Sequence, residues 1–422
     1  MSEPYDVIVV GGGTAGVVAA VQAARAEART LLIEKNGLLG GTVTAGGVSA
    51  PGRFHGRGRQ LVAGIGWELV TRCLDEAGDE LPDCTTDASS MGPHIRLNAP
   101  LYAALCDEMC VEAGVELWLH VMCAGVRHDA EAGLWRLEAC TKTGPAEVAT
   151  RTLIDCTGDA NVVTLAGLEV IRPEQVQPGT LTCRLSGYDP ASLDYDALDA
   201  AFAAEVAAGR LVHGDGGWNA ERPGVRKLLE GRGHNANHII GVNAADSTGR
   251  TAMELAGRRS LLRVYRWLRT QPGLENLRID WIAPECGVRE TVVIAGAKTI
   301  TERDYVTGRV WDDSLCYAMY PVDLHIAAGR GIHAYPPEEG KVPTVPRGAL
   351  LPAGSRNLLV AGRCVSSDRL ANSGLRVEAS CMAMGQAAGA IAALAAQRGA
   401  DVGDVEIDAV RALLTAHGAV VP

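Results

Sequence analysis

Gly11-x-Gly13-x-x-Gly16 follows the apolar run Asp6–Val10, and Glu34 closes a second apolar run, Leu31–Ile33. These residue types at this spacing suit an elongated anion. Gly11 turns the chain, Gly13 lets a diphosphate approach the backbone, and Gly16 lets the next helix pack closely on the strand. Thr14 and Ala15 stand between them, so Gly11, Gly13, Thr14, Ala15 and Gly16 form one backbone cradle at a helix N-terminus, where free N–H groups and the dipole favour phosphate. Glu34 lies about twenty residues further on, where a carboxylate accepts from a ribose 2′-OH and repels a 2′-phosphate. A dinucleotide is expected, and NADP is disfavoured.

Other side chains can move protons or hold charge. His325 ends the apolar run Tyr320–His325 beside Gly329-Arg-Gly331 and is a candidate general base, the alternative being a structural histidine. Asp323 would orient it only if the backbone there is not strand-like, because i and i+2 share a strand face but seldom touch. Arg289 can clamp a carboxylate or a polyol; alternatively Arg289-Glu290 forms an ion pair between two domains. Arg376 stands between a glycine turn and a helix rich in small residues, and is otherwise a surface cation. His55, in Pro51-Gly-Arg53-Phe-His55-Gly56, is placed to reach the substrate face of the cofactor. His234-Asn235-Ala-Asn237-His238 either binds hydroxyls or is an exposed loop. No ligand spacing recurs that would hold a metal.

The elements that position these residues are legible in outline. Asp6–Val10 and Leu31–Ile33 read as buried parallel strands, with a helix from Val17 to about Ala28 between them. A helix started by Pro100 follows, then an extended segment Val115–His128 and the strand Thr152–Asp155 ending in Thr157-Gly158-Asp159. Beyond Leu168 this rhythm breaks into a strand at Arg184–Gly187 and helices at Ala197–Ala208 and Arg250–Arg269, and Trp281–Glu290 and Thr291–Lys298 return toward strands. Val342–Pro352 reads as a linker, Leu358–Ala361 as a strand and Cys381–Ala396 as a close-packing helix. The expected fold is α/β: a discontinuous Rossmann-like dinucleotide domain, residues 1–165 and 346–422, with an inserted α+β substrate domain, 166–345.

Gly40-Gly41-Thr42 follows the ribose-binding acid and its neighbour Lys35, a spacing that an NAD dehydrogenase does not need. It resembles the glutathione-reductase-type FAD fold, in which such a pair lies along the cofactor. That resemblance implies backbone near Cys123 at the adenine, Gly158 and Asp159 at the dinucleotide, and a C-terminal half-site from Gly362, Arg363, Gly374, Leu375 and Arg376. The helix after Arg376 would point its N-terminus at the flavin oxygen where negative charge develops. Pro284-Glu-Cys-Gly287-Val-Arg289-Glu290-Thr291, Tyr320-Pro-Val-Asp323-Leu-His325, Gly362-Arg363-Cys364 and Cys381-Met-Ala-Met-Gly385-Gln386-Ala-Ala-Gly389 occur in that order. Together they resemble the bacterial FAD-dependent oxidoreductase family, distantly related to the flavoprotein subunits of fumarate reductase and succinate dehydrogenase. The resemblance runs from Asp6 to about Leu414. It implies hydride transfer between flavin N5 and a small polar substrate such as a polyol, sugar derivative or carboxylate, as a dehydrogenase, an oxidase or a C=C reductase. The alternative is a redox-neutral isomerase or hydratase that keeps FAD as scaffold. Two places depart from the family: Val292-Val293 replace further arginines, and Asn372-Ser-Gly replaces a His-Gly pair.

Composition excludes several other classes. In 422 residues, 39 basic and 50 acidic groups leave a net charge of −11, with no basic block for nucleic acid. Twelve scattered cysteines without CxxC argue against an iron–sulfur cluster and fit reduced thiols in a cytoplasm. The N-terminal Glu3 and Asp6 lead directly into a strand, so no secretory signal is expected. The apolar runs Val7–Ala24 and Cys381–Ala396 carry Gln22 or Gln386 and many glycines, so no membrane span is expected either. The electron partner is left open among oxygen, a quinone and another protein, as is the oligomeric state.

Overall fold

A computed structural model describes residues 3–85, 91–218, 223–327 and 331–422. Its principal sheet joins both ends of the chain. Glu116–Leu119, Thr30–Glu34, Tyr5–Val10, the last half of Gly144–Asp155, and Leu358–Val360 lie side by side and parallel. Their register aligns Val10 with Ile33 and Asp155, and Asp155 with Val360. The turns that follow these strands therefore meet at one edge. In open α/β sheets this carboxyl edge is where ligands bind.

The first half of Gly144–Asp155 leaves the parallel layer and pairs antiparallel with Leu134–Thr141, which pairs in turn with Met122–Asp129. One extended segment was expected over Val115–His128; two strands, Glu116–Leu119 and Met122–Asp129, occupy it. His120, at positive φ, makes the break between them.

Glycine sets the spacing of the two long buried helices. Thr14–Arg25 starts three residues earlier than the sequence pattern suggested, directly on Gly13. Glu378–Arg398 crosses it so closely that a Cβ on Gly385 would overlap the carbonyl oxygen of Ala15, and one on Gly389 that of Ala19. The polar side chains on this interface are satisfied, as burial demands. Gln386 donates to Gln22 Oε1 at 3.1 Å, and Gln22 meets His417 Nδ1 at 2.7 Å. Helix Glu378–Arg398 has the length and hydropathy of a span, but 83% of its apolar window is buried inside the protein.

A second core gathers Leu181, Leu185, Phe202, Leu229, Met253, Val264 and Val288. Its sheet has Cys183–Ser186 between Gly233–His234 and Arg278–Ile282, all antiparallel. Helices Tyr195–Ala207 and Ser247–Leu268 contribute to this core, and each opens on an aspartate cap, Asp194 and Asp246. Ile300, Tyr305, Leu315, Val322, Val345 and Leu350 belong instead to the first core.

Three expectations are corrected. Val342–Pro352 is no linker: Thr344–Pro346 pairs with Ser314–Tyr317 and leads into the short helix Arg347–Leu350, because buried Val345, Ala349 and Leu350 anchor it. The stretch before Arg376 is a helix, Arg369–Leu375, capped by Asp368 accepting from Ala371 N at 2.9 Å. Of Thr291–Lys298 only Val293–Ile294 is a strand.

Gly385→Val is expected to force the two long helices apart and to destabilise the fold by about 1–3 kcal/mol or more. A thermal melt in the presence of FAD tests this; an unchanged Tm would contradict the close crossing.

Candidate active site

The first half of the site is a backbone cradle. Glu34 closes its strand buried, accepting from Gly12 N at 2.6 Å and Asn36 N at 2.8 Å, while burial lifts its carboxyl above the ordinary range. Gly40 N donates to Gly12 O at 2.8 Å, laying the Gly40-Gly41 turn along the first glycine loop. A Cβ on Gly41 would stand 2.8 Å from Gly13 Cα, so only glycine fits there. Thr42 accepts from Val48 N at 3.0 Å and holds the chain that continues from this turn. Lys35 forms an ion pair with Glu285, tying the end of the second strand to the second core's sheet region. Val121 N donates to Glu34 O at 3.0 Å, which brings Cys123 to the same edge.

The far ends of the chain complete this cradle. Cys156 N donates to Val10 O at 2.8 Å and Ala361 N to Asp155 O at 3.1 Å. Arg363 donates to Gly158 O at 2.8 Å and to Asp159, and Thr291 donates to Asp159 at 2.8 Å. Arg363 therefore pins the Thr157-Gly158-Asp159 turn. Gly362 has a φ of 104°, with only Ala15 Cβ near the space a side chain would fill.

This cradle fits a dinucleotide diphosphate. Gly13 caps helix Thr14–Arg25 without a side-chain bond, no acid stands in the first turn, and Thr14 and Ala15 are buried. A buried helix start with no side-chain cap and no acid in its first turn suits an anion, and a phosphate is a suitable one. Beside it a cleft of about 660 Å³ opens between Thr44, Gly47 and Ser49, the Leu97–Ala103 segment, and Thr182, Arg184, His234 and Trp281.

The second half is a buried polar cluster. Arg289 is 8% exposed and donates to Pro178 O at 2.7 Å, with no carboxylate within ion-pair distance among the described residues. Burial, then the neighbouring Arg376, lowers its pKa to about 9. Arg376 donates to Asp323 O at 3.1 Å and lies 3.5 Å from its carboxylate. His325, 5% exposed, meets His238 at 2.8 Å and has Asp323 Oδ2 at 3.6 Å from Nε2. Asp323 and His325 thus approach across one strand face, although the backbone Val322–His325 is a regular strand paired with Ile332–Tyr335. Gln177 accepts from His325 N at 3.1 Å and Arg376 at 3.4 Å. Its Nε2, with His238 Nδ1 and Arg376 Nε, is buried and unpartnered among the described residues. Glu378 opens the helix beyond Arg376, and burial raises its carboxyl to about 7 against the pull of Arg376.

Residues 6–414 match the family described as FAD dependent oxidoreductase. The chain belongs to that family. It is an FAD-dependent oxidoreductase, a flavoprotein with a Rossmann-like sheet. A 39-residue stretch is 59% identical to dihydrolipoyl dehydrogenase of Trypanosoma brucei brucei, covering 9% of this chain and 8% of that enzyme. Among solved structures, a geranylgeranyl bacteriochlorophyll reductase-like protein of Thermoplasma acidophilum is similar at 15% identity and TM-score 0.44, over 98% of this chain and 83% of that one. Anhydrotetracycline hydroxylase of Streptomyces rimosus is similar at 13% identity and TM-score 0.46, over 99% of this chain and 66% of its own.

Within this oxidoreductase the predicted residues divide. Arg289, Arg376 and His325 converge, and Glu290 leaves Arg289 to pair with Arg369 at 2.8 Å and accept from Gln177 N at 2.7 Å. Gly374 faces Tyr305, whose hydroxyl a Cβ would overlap, and Leu375 is fully buried beside it. His55 stands apart: its ring lies edge-on to Trp67 at 5.0 Å, and burial lowers its pKa. The polar run near His234 splits, with His234 exposed at a sheet edge and Asn237 accepting from Thr180 Oγ1 and Leu181 N. Gln177, Trp218 and Glu378 were not singled out by sequence, and His238 only as the last residue of the polar run from His234. Gly329 and Arg330 lie outside the described residues.

Burial, then the charge of Arg289, lowers His325 to about 4, and the same two causes lower His238 further. Unfolded histidine titrates near about 6.5, so as pH falls toward about 4 the unfolded chain takes up protons that the native one refuses, and stability falls. Glu378 acts in the opposite sense, losing stability as pH rises toward its folded pKa, so the comparison must be between proteins. A His238→Asn, His325→Asn double variant should show a flatter fall of Tm between about pH 6.5 and 5 than the parent. Parallel curves would contradict the assignment.

Proposed function

We propose that this FAD-dependent oxidoreductase acts on a small polar substrate carrying a carboxylate, removing hydride and proton from a neighbouring C–OH or running the same site in reverse. The observation that supports this is the unequal charge of the cluster. Two guanidiniums, Arg289 and Arg376, neighbour each other with one close carboxylate, Asp323, which lies beside Arg376 and His325. Glu378 is half-buried and lifted to about 7, which removes much of its countercharge. Buried charge of one sign favours a ligand of the other. Bound FAD supplies the two-electron acceptor or donor at N5. Arg289 and Arg376 orient the carboxylate, and the histidines exchange the proton. Gln177 Nε2 offers a neutral donor to the same ligand.

The glycine pair at Gly40-Gly41 supports a glutathione-reductase-type lie of the cofactor, and the ordered C-terminal motifs support distant kinship with fumarate reductase and succinate dehydrogenase flavoproteins. All twelve cysteines are free, which favours a reducing cytoplasmic setting. Oxygen, a quinone or a protein serves as electron partner.

Anaerobic mixing with glycolate, lactate, malate, glycerol and sorbitol, and of the photoreduced enzyme with pyruvate and oxaloacetate, tests the reading by the yellow flavin absorbance. At least one carboxylate should change the flavin redox state, with Arg289→Gln raising KM by about tenfold or more. Response to the uncharged polyols alone would overturn it.

A further inference from the structure

His238 carries the most consequential unpaired atom in the cluster. It is 3% exposed, lies on the backbone bonded to Gly214 O at 2.8 Å, and stacks on Trp218 with ring centroids 5.6 Å apart at 19°. Nε2 meets His325 Nδ1 at 2.8 Å, while Nδ1 is buried and unpartnered among the described residues. The proton order along this line follows from its far end. Asp323 Oδ2 lies 3.6 Å from His325 Nε2 and favours the tautomer with the proton there. His325 Nδ1 is then a lone pair and can only accept. Nε2 of His238 must donate to it, so Nδ1 of His238 is left as a lone pair as well.

Resting on the proposed oxidation at this site, we propose that Asp323, His325 and His238 form a proton relay in which Nδ1 of His238 is the atom that takes the substrate's hydroxyl proton, and that His325 and Asp323 are positioning residues behind it. When the proton leaves, the O–H electron pair closes the C=O bond as the hydride departs. Nδ1 gains the proton, and Nε2 of His238 can pass its own to His325 Nδ1. The charges around the relay give this direction. Arg289 and Lys227 press positive charge on His238, and Arg289 and Arg376 press on His325, whereas the Asp323 carboxylate faces only the His325 end. Moving the positive charge from His238 to His325 brings it beside that carboxylate. Trp218 covers His238, and Lys227 Nζ stands 3.4 Å above the indole, closing this end from water.

Two measurements test the relay separately from the substrate reading. Nitrogen NMR of histidine-labelled holoenzyme at pH 7, assigned with His238→Asn and His325→Asn, reads the tautomers without any substrate. Both rings should be neutral and protonated at Nε2, and Asp323→Asn should shift His325 more than His238. A proton on Nδ1 of His238 would overturn the relay whichever compounds the enzyme oxidises. With a carboxylate that bleaches the flavin, His238→Asn should slow anaerobic reduction by about a hundredfold or more at little changed KM and abolish the acid limb of its pH profile. His325→Asn should retain that limb, displaced, with a smaller loss. Equal rates for His238→Asn and the parent would overturn the assignment. If no carboxylate bleaches the flavin, the substrate reading fails, and the tautomers alone decide the relay.

Discussion

The crossing of helix Thr14–Arg25 with helix Glu378–Arg398 is the constraint on which the rest depends. It requires glycine at Gly385 and Gly389, because any Cβ there would occupy the carbonyls of Ala15 and Ala19. Residues 370 positions apart in the chain, Ala15 with Gly385 and Ala19 with Gly389, are thereby held in contact at backbone range. The parallel sheet beneath complements the crossing, since its register ends Tyr5–Val10, Thr30–Glu34, Gly144–Asp155 and Leu358–Val360 at one level. The helix start, Glu34 and the C-terminal turn converge for that reason. Packing comes first, and the cofactor cradle is its result.

The polar cluster follows from a different physics. Arg289, Arg376, Asp323, His325 and His238 are expensive to bury, and they are tolerated because each has at least one fixed partner. Pro178 O, Gln177 Oε1 and the His238–His325 bond satisfy part of their capacity. The remainder, concentrated at Gln177 Nε2, His238 Nδ1 and Arg376 Nε, defines what a ligand must bring. Around this centre, pairs such as Glu290–Arg369 and Arg363–Asp159 leave no buried side-chain atom of their own unpartnered among the described residues and serve to hold elements together.

Much of this was legible in the residues themselves, where local chemistry decides structure. The glycine loop, Glu34, Gly40-Gly41 and the small-residue helix near the C-terminus were readable because spacing alone restricts what can pass so close. The converging trio Arg289, Arg376 and His325 was named, with Asp323 beside His325, but not Gln177, which bonds both His325 and Arg376. Gln177 lies in Glu-Gln-Val-Gln-Pro, which has no periodicity or motif, and its place is set by long-range pairing of Gly179 with Ile239 and Thr180 with Gly287. Val342–Pro352 misled because proline and glycine suggest a linker, whereas buried Val345 and Leu350 overrode them. Arg363 looked free to meet the cofactor; only the fold reveals that Gly158 and Asp159 engage its guanidinium.

Hydrogen exchange of the protein stripped of FAD and then reloaded with it tests the shared cradle most directly. Residues 11–16 and 34–42 should gain protection together with 157–159 and 361–376, in one step with FAD concentration. Protection confined to the N-terminal segment, or none in either, would contradict the claim that both ends of the chain enclose one cofactor.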